Sequence, residues 1–299
     1  MNGWKERLAA KRLLIADGAW GTEFARRGLA AGETPERWNL ERPNEVLAVA
    51  RSYVEAGADI LLTNTFGGSP LKLAKAGLET RVAEANRRGV ELSKEAAGGK
   101  ALVFASVGPT GEFMTPLGTI EEIEMVACFA EQVRAIAGAS PDGIVIETMS
   151  DLGEAKAALR AVRENSNLAA VVSMTFQKGA RGYATMMGVT PAQAARDLEA
   201  AGADVVGANC GAGIDDIVEV ARLMRPATTL PLWFKPNAGI PQLIDGKTVF
   251  RESPETMAKR LGDLVKAGAS IIGGCCGTGP EHIRLFAARA RKLVNRPSS

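Results

Sequence analysis

The stretch Ala269-Ser270-Ile271-Ile272-Gly273-Gly274-Cys275-Cys276-Gly277-Thr278 is an apolar run of strand length that ends in glycines and two adjacent cysteines. Isoleucine favours strands, and the glycines allow the backbone to turn tightly around the two thiols. A helix start follows, because Pro280 and Glu281 are residue types that favour the first turn of a helix. The stretch therefore predicts a strand, a loop that carries two cysteines, and a helix.

A second strand-like run, Val205-Val206-Gly207-Ala208-Asn209-Cys210-Gly211, also ends in a cysteine and a glycine. Adjacent cysteines form a disulfide only through a strained ring, but both can bind one metal ion when a third soft ligand is available. Three thiolates suit zinc and leave the fourth tetrahedral position for a substrate. We therefore predict that Cys210, Cys275 and Cys276 bind Zn2+. The alternative is that they are small buried hydrophobic side chains; Cys128 is assigned to the core of a helix.

Strand-like and helix-like segments alternate along the whole chain. The strand-like runs are 13–17, 59–65, 101–107, 143–148, 169–176, 204–209, 230–235 and 270–275, with amphipathic stretches such as 81–97, 120–137 and 254–266 between them. Near-continuous apolar strands that alternate with helices indicate a parallel sheet covered by helices. Eight such units predict an α/β fold, a (β/α)8 TIM barrel, as a single domain over residues 1–299. A doubly wound open sheet is the alternative, but no GxGxxG turn follows the first strand.

A short phrase recurs where a helix gives way to a strand. It reads Glu55-Ala56-Gly57-Ala58-Asp59, Ala200-Ala201-Gly202-Ala203-Asp204 and Lys266-Ala267-Gly268-Ala269-Ser270. A glycine that ends each helix in the left-handed conformation explains the shared wording. The phrase supports the assignment of repeated helix–strand units.

The composition is that of an ordinary globular protein. The 299 residues are 46% hydrophobic and 23% charged, and 36 basic against 34 acidic residues give a net charge of +2. No long basic run favours nucleic acid or an anionic membrane, and no apolar run reaches the length of a membrane span. Because the N-terminus lacks a signal-peptide pattern and thiolate sites survive in reducing compartments, we expect a cytoplasmic protein.

Two acidic residues lie at predicted strand ends, which meet at one mouth of a barrel. Asp17 opens the turn Asp17-Gly18-Ala19-Trp20-Gly21-Thr22, whose small residues expose backbone N–H groups. Glu147 is a charge at the end of a buried strand. Two carboxylates with a set of amides suit a zwitterionic amino acid, with its ammonium on the acids and its carboxylate on the amides of Gly18, Ala19 and Trp20. The alternative is structural: Asp17 caps a helix, and Glu147 pairs with a lysine or an arginine.

With these residues in view, the chain resembles the zinc-dependent homocysteine S-methyltransferase family. That family includes the homocysteine-binding module of cobalamin-dependent methionine synthase and the betaine–homocysteine methyltransferases. The matching stretches are Asp17-Gly18-Ala19-Trp20-Gly21-Thr22, Thr63-Asn64-Thr65-Phe66, Ser106-Val107-Gly108-Pro109-Thr110, Glu147-Thr148, Asn209-Cys210, Pro236-Asn237-Ala238-Gly239 and Gly273-Gly274-Cys275-Cys276-Gly277-Thr278. The resemblance implies a barrel in which Cys210, Cys275 and Cys276 hold zinc and Asp17, Thr63 and Glu147 hold the amino-acid part of homocysteine.

The expected chemistry is methyl transfer to a thiolate. A free thiol with a pKa of about 8.5 is only a few per cent ionised at neutral pH, and coordination to zinc deprotonates it. The product would be methionine. We further predict that, without substrate, water or a nearby oxygen takes the fourth zinc position, and Asn237 is the candidate for that oxygen. The alternative is that Asn237 serves only its turn.

The methyl donor is less constrained than the acceptor. Animal-type betaine enzymes carry aromatic residues where this chain has Gly67 and Thr148, so a cation–π cage for betaine is incomplete. Trp20, Trp38 and Phe66 remain candidates for one. We predict methylcobalamin, carried by a separate corrinoid-binding protein, because no corrinoid module is apparent in the sequence. Betaine or S-methylmethionine is the alternative donor, and a non-catalytic zinc-binding subunit of a corrinoid complex is the alternative function.

Overall fold

Eight parallel strands form the centre of the protein, whose computed structural model describes residues 3–244 and 247–294. They are β1 Leu14–Ile15, β2 Ile60–Leu62, β3 Leu102–Val107, β4 Gly143–Met149, β5 Ala169–Met174, β6 Val205–Asn209, β7 Leu232–Lys235 and β8 Ala269–Ile272. Each strand pairs with the next, and β8 pairs with β1. A parallel bridge between Ala16 and Ile60 joins β1 to β2. The sheet is therefore closed, and the predicted (β/α)8 barrel is confirmed.

Successive side chains along each barrel strand point alternately into the barrel and out toward the helices. One hydrophobic cluster fills the barrel, with inward side chains that include Phe104, Val145 and Trp233. A Cβ at Gly207 would lie 1.8 Å from the Trp233 carbonyl oxygen, so glycine makes room for the neighbouring strand there. Because the residues two positions further along point the same way, strands β3, β4 and β7 each carry a polar side chain to the carboxyl end of the barrel interior.

Helices surround the barrel, and their apolar faces pack on the outward faces of the strands. They are α1 Gly3–Lys11, α2 Trp20–Arg26, α3 Trp38–Glu41, α4 Pro43–Glu55, α5 Pro70–Ala74, α6 Val82–Ala97, α7 Glu122–Gly138, α8 Leu152–Asn165, α9 Pro191–Ala200, α10 Ile214–Met224, α11 Pro254–Lys266 and α12 Pro280–Val294. Short 3-10 turns occur at Pro35–Arg37, Glu79–Arg81 and Arg225–Ala227. Trp4 of α1 packs with the interior cluster.

The glycines of the recurring phrase end their helices as predicted. Gly57, Gly202 and Gly268 have φ of 95°, 95° and 99°, a left-handed conformation that costs glycine little and other residues more. Each lets the chain leave a helix and reach the following strand through a turn of only two to four residues.

Two antiparallel hairpins were not foreseen from the sequence. One pairs Gln177–Gly179 with Gly182–Ala184 after β5, and the other pairs Gln242–Ile244 with Lys247–Val249 after β7. Both follow the carboxyl ends of barrel strands, so they belong to the mouth. Across residues 3–244 and 247–294, no helix combines the length and the apolar character needed to cross a bilayer.

Candidate active site

Three cysteine sulfurs meet at the carboxyl end of the barrel. Cys210 follows β6, and Cys275 and Cys276 follow β8; their Sγ atoms lie within 4.8 Å of one another, with 3.9 Å between Cys210 and Cys276. A tetrahedral zinc with Zn–S bonds of about 2.3 Å places its sulfurs about 3.8 Å apart. The Cys210–Cys276 separation matches this spacing, and the third sulfur lies close enough for one metal ion to reach all three. Cys128 lies on α7, outside this cluster.

The backbone ties the three cysteine segments together. Cys210 N donates to the Lys235 carbonyl (3.1 Å), Cys275 N to that of Pro236 (2.8 Å), and Ala238 N to that of Cys276 (2.9 Å). Cys210 itself has a φ of 59°, which for a residue with a Cβ costs about 1–2 kcal/mol. The residues that directly follow β7 thus connect both cysteine loops. The strained backbone of Cys210 lies at the point where its sulfur turns toward the other two.

The electrostatics of the cluster also suit a cation. Hydrogen bonds from the Cys275 and Cys276 thiols lower the pKa of Cys210 to about 3, and the same interaction with Cys210 raises the pKa of Cys276 to about 12. The side chain of Asn237 also lowers the pKa of Cys210, and its Oδ1 is buried without a hydrogen-bond partner. A sulfur cluster that holds negative charge at neutral pH beside an unpaired amide oxygen fits a divalent soft metal.

Asp17 lies beneath the site in an ion pair. Its Oδ1 accepts from Lys235 Nζ at 2.8 Å, and its Oδ2 accepts from Leu62 N and Trp20 Nε1, each at 2.7 Å. The Asp17 side chain is fully buried. Both oxygens of Asp17 are thus already bonded within the protein. This arrangement favours the structural interpretation of Asp17, with Lys235 as a partner that the sequence did not reveal.

Lys235 ends β7 two residues after the inward Trp233, and its side chain is 3% exposed. Burial works to lower the pKa of Lys235, but the charges of Asp17 and Glu147 and the hydrogen bond to Asp17 outweigh it, so the pKa is raised. The lysine is therefore a permanent cation in the floor of the barrel mouth. The sequence signal that could have identified Lys235 is its position at the end of an apolar strand, because a buried charge needs a partner.

Glu147 also points inward, two residues after Val145. The pairing of β4 with β5 shifts register between Ile146 and Met149, and such a bulge re-aims the side chains around it. Ser106 Oγ donates to Glu147 Oε1 at 2.5 Å, whereas Oε2 has no hydrogen-bond partner among the residues that the structure describes. Burial raises the pKa of Glu147, opposed by Lys235 and the Ser106 hydroxyl. One carboxylate oxygen thus remains available for a ligand.

Asn209 connects the end of β4, which carries Glu147, to the cysteines. Its Oδ1 accepts from Thr148 N (2.8 Å) and Ser173 Oγ (2.7 Å), and its Nδ2 donates to Thr148 Oγ1 (2.7 Å) and lies 3.8 Å from Cys275 Sγ. Thr148 has a φ of 64°, which is rare for a β-branched residue. The Asn209 amide therefore holds the strained backbone of β4 directly after Glu147.

A cavity of about 760 Å³ opens over these groups. Its lining includes the sequence-predicted Gly18, Ala19, Trp20, Thr63, Glu147, Cys210, Cys275 and Cys276, and also Ser106 and Lys235. Asp17 and Asn237 are not part of the lining; they lie behind it, 0% and 3% exposed. The structure thus brings the sequence-predicted residues together around one cavity. Eight of them line it, and the other two are buried behind the lining.

Aromatic side chains form much of the outer cavity. Trp20, Phe24, Phe66 and Phe250 line it, the last from the segment after the second hairpin. Trp38, a sequence candidate for a cation cage, is instead buried in the core at 1% exposure and donates to Glu33. The cavity has room for more than one small molecule, since pockets of about 300–1,000 Å³ hold drug-sized ligands.

Comparisons with known proteins agree with this arrangement. A family model described as "Homocysteine S-methyltransferase" matches residues 14–290. Methionine synthases of Mycobacterium leprae and Mycobacterium tuberculosis are each 29% identical over 93% and 95% of this chain, which spans only 24% and 25% of their length. The homocysteine methyltransferase MmuM from Escherichia coli, in metallated form, superposes with a TM-score of 0.78 at 23% identity, covering 93% of this chain and 96% of that one. Its oxidized form gives 0.77 at 25% identity over the same shares.

Proposed function

Because the chain belongs to the homocysteine S-methyltransferase family, we propose that it methylates the thiol of L-homocysteine to methionine at a zinc site formed by Cys210, Cys275 and Cys276. The observation that carries the proposal is that three sulfurs within 4.8 Å of one another line the same cavity as a carboxylate with a free oxygen. Zinc bound there would supply the chemistry of thiol activation, keeping the substrate sulfur deprotonated at neutral pH.

The chain's own residues would orient the amino acid. We assign the substrate ammonium to Glu147, whose Oε2 is free while Ser106 holds Oε1 at 2.5 Å. Thr63 lies beside this group, because its Oγ1 accepts from Ser106 N at 3.2 Å. Asp17 supports the site through Lys235, since its oxygens are already bonded. The bound substrate would then have its ammonium at Glu147 and its sulfur beside the three cysteines.

A non-catalytic zinc-binding role is less well supported. Structural zinc sites are normally closed by four protein ligands, whereas catalytic sites keep one position open. Here three cysteines line a cavity of about 760 Å³, which gives the open position access to a ligand.

For the donor, we propose methylcobalamin carried by a separate corrinoid-binding protein. Large exposed hydrophobic side chains occur on the segments that follow the barrel strands: Phe66, Phe113, Leu117, Met186, Ile240 and Leu243. Two others, Ile123 and Leu223, are exposed on helices, but the larger share at the mouth favours a macromolecular partner at that end. A corrinoid is itself large, so its methyl group would have to reach the sulfur through the open mouth.

A small cationic donor, betaine or S-methylmethionine, is the second candidate. It is favoured by the aromatic rings of Trp20, Phe66 and Phe250 in the cavity wall, since a methylated cation binds the faces of such rings. We keep methylcobalamin as the first choice, because the aromatic positions that complete the cage of betaine enzymes are Gly67 and Thr148 here.

The donor can be tested with zinc-loaded enzyme and L-homocysteine. We expect methionine to form with methylcobalamin and to form much more slowly with betaine or S-methylmethionine. Phe66→Leu should leave the methylcobalamin rate within about threefold, because cation–π contacts, worth about 0.5–2 kcal/mol, matter only for a cationic donor. Phe113→Leu, at an exposed phenylalanine outside the cavity lining, is the matched control. Fast turnover with a small cation, lowered by Phe66→Leu alone, would reverse the choice of donor.

A further inference from the structure

The side-chain amide of Asn209 has an orientation that its neighbours fix. The amide oxygen, Oδ1, accepts from Thr148 N at 2.8 Å and from Ser173 Oγ at 2.7 Å. Because a backbone N–H only donates, the atom that faces Thr148 N must be the oxygen of the amide. Nδ2 is then the atom that lies 2.7 Å from Thr148 Oγ1 and 3.8 Å from Cys275 Sγ. The amide therefore presents an N–H donor, and no acceptor, to the Cys275 sulfur.

Every hydrogen-bonding position of this amide is in use. An asparagine side chain has two N–H donors and two acceptor lone pairs, and the four contacts of Asn209 match them. The residue is fully buried and is not part of the cavity lining, whereas Cys275 is. Asn209 thus contacts the Cys275 sulfur from the protein side and leaves the cavity side of that sulfur open.

The proposed reaction requires selectivity among several sulfurs. Cys210, Cys275 and Cys276 all line the cavity that would hold the substrate thiol. If Cys275 attacked the donor instead, the bond between the methyl carbon and the donor would break and a carbon–sulfur bond would form at Sγ, with the electron pair of the broken bond left on the donor. The product is a neutral thioether, and the thiolate is the form of cysteine that binds metals. Methylation of Cys275 would therefore disable the site.

We propose that Asn209 protects Cys275 from methylation, because its amide N–H donates to the Cys275 sulfur and lowers the nucleophilicity of that thiolate. This inference rests on the proposed function, and Asn209 acts through Cys275 rather than on the substrate. A hydrogen bond to a thiolate stabilises its charge, and the nucleophilicity of a thiolate falls as its basicity falls. Partners of metal ligands tune metal sites in this way. A substrate sulfur on the cavity side has no contact with Asn209 and stays the more reactive nucleophile.

Methylation of the cysteines by methyl iodide tests the proposal without homocysteine. Zinc-loaded wild type, Asn209→Leu and Ser173→Ala are compared, and mass spectrometry gives the rate at each cysteine. Leucine nearly fills the volume of asparagine but has no N–H donor, so access to Cys275 is not widened. We expect Asn209→Leu to raise the rate at Cys275 about fivefold and to change the rates at Cys210 and Cys276 less than about twofold.

Ser173→Ala is the matched control, because it removes a hydrogen bond to Oδ1 of the same amide and leaves the N–H in place. It should react like wild type. An unchanged rate at Cys275 in Asn209→Leu would overturn the proposal. An equal increase at all three cysteines would also overturn it and would indicate that Asn209 only holds Thr148.

Zinc content, measured on the same samples, separates this inference from the proposed function. Wild type that binds no zinc would contradict the proposed function. Asn209→Leu that retains zinc and reacts like wild type would contradict the inference alone.

A measurement on the wild type decides the question if Asn209→Leu does not fold or does not retain zinc. The protein is loaded with an NMR-active isotope of cadmium, a soft metal that thiolates also bind. We expect a scalar coupling between cadmium and a side-chain amide proton of Asn209, because such a coupling is transmitted through an N–H···S hydrogen bond. Absence of that coupling, in protein whose cysteines are shown to bind the cadmium, would refute the proposal.

Discussion

Replacing Cys210, Cys275 or Cys276 by alanine should remove most of the bound zinc and lower methionine formation by roughly 10³-fold. Loss of an outer partner of a metal ligand already costs about 10–100-fold, and loss of one of three ligands costs more. The three sulfurs lie within 4.8 Å of one another, so two cysteines retain neither the charge nor the geometry of the site. Zinc content by elemental analysis and the rate with saturating homocysteine measure the effect.

Cys128→Ala is the matched control for these variants. Cys128 lies on α7, and burial raises its pKa above the ordinary value for a thiol. It is the same chemical change at a cysteine outside the cluster, so zinc content and rate should stay at the wild-type level. Full zinc occupancy in Cys210→Ala would show that Cys210 is not a zinc ligand.

Glu147→Gln should raise the KM for homocysteine about 100-fold and change kcat much less. The carboxylate is buried beside Ser106 with one oxygen free, and removing one member of a buried charge pair costs about 2–5 kcal/mol. Because the ammonium takes no part in methyl transfer, the loss appears in binding rather than in turnover. Steady-state kinetics with homocysteine at saturating donor measure both constants.

Two other carboxylates separate this role from general effects of burial. Glu154 is also buried with a raised pKa and accepts from Thr110 N and Oγ1 at 2.7 Å, but it is not part of the cavity lining, so Glu154→Gln should leave KM unchanged. Asp17→Asn should mainly lower the melting temperature, because it weakens the partner of buried Lys235. A collapse of kcat in Glu147→Gln at unchanged KM would mean that Glu147 is not a substrate anchor.

Much of the fold follows from local pattern. Strands buried on both faces read as continuous apolar runs, so β8 and β6 could be placed from the isoleucines and valines before Cys275 and Cys210. The left-handed glycines at 57, 202 and 268 marked the helix ends. The two hairpins were missed because their strands are only three residues long, which is too short to give a periodic signal.

The site could be foreseen in its residue types but not in its pairing. Two strand ends with cysteines predicted one cluster, and the three sulfurs do lie together; their binding to zinc stays a prediction. The pairing of Asp17 with Lys235, 218 positions apart, depends on which side chain reaches across the closed barrel. The left-handed Thr148 beside Glu147 likewise depends on Asn209 from another strand. Such contacts are set by tertiary structure, and no local pattern encodes them.

X-ray absorption at the zinc K-edge tests most directly the claim that the cysteine cluster binds zinc and takes the substrate sulfur as its fourth ligand. Without substrate we expect three sulfurs and one lighter atom, for which Asn237 with its unpaired Oδ1 is the candidate beside water. Addition of L-homocysteine should raise the sulfur count to four, and L-homoserine, its oxygen analogue, should leave it at three. A shell that stays at three sulfurs with saturating homocysteine would contradict the proposed function.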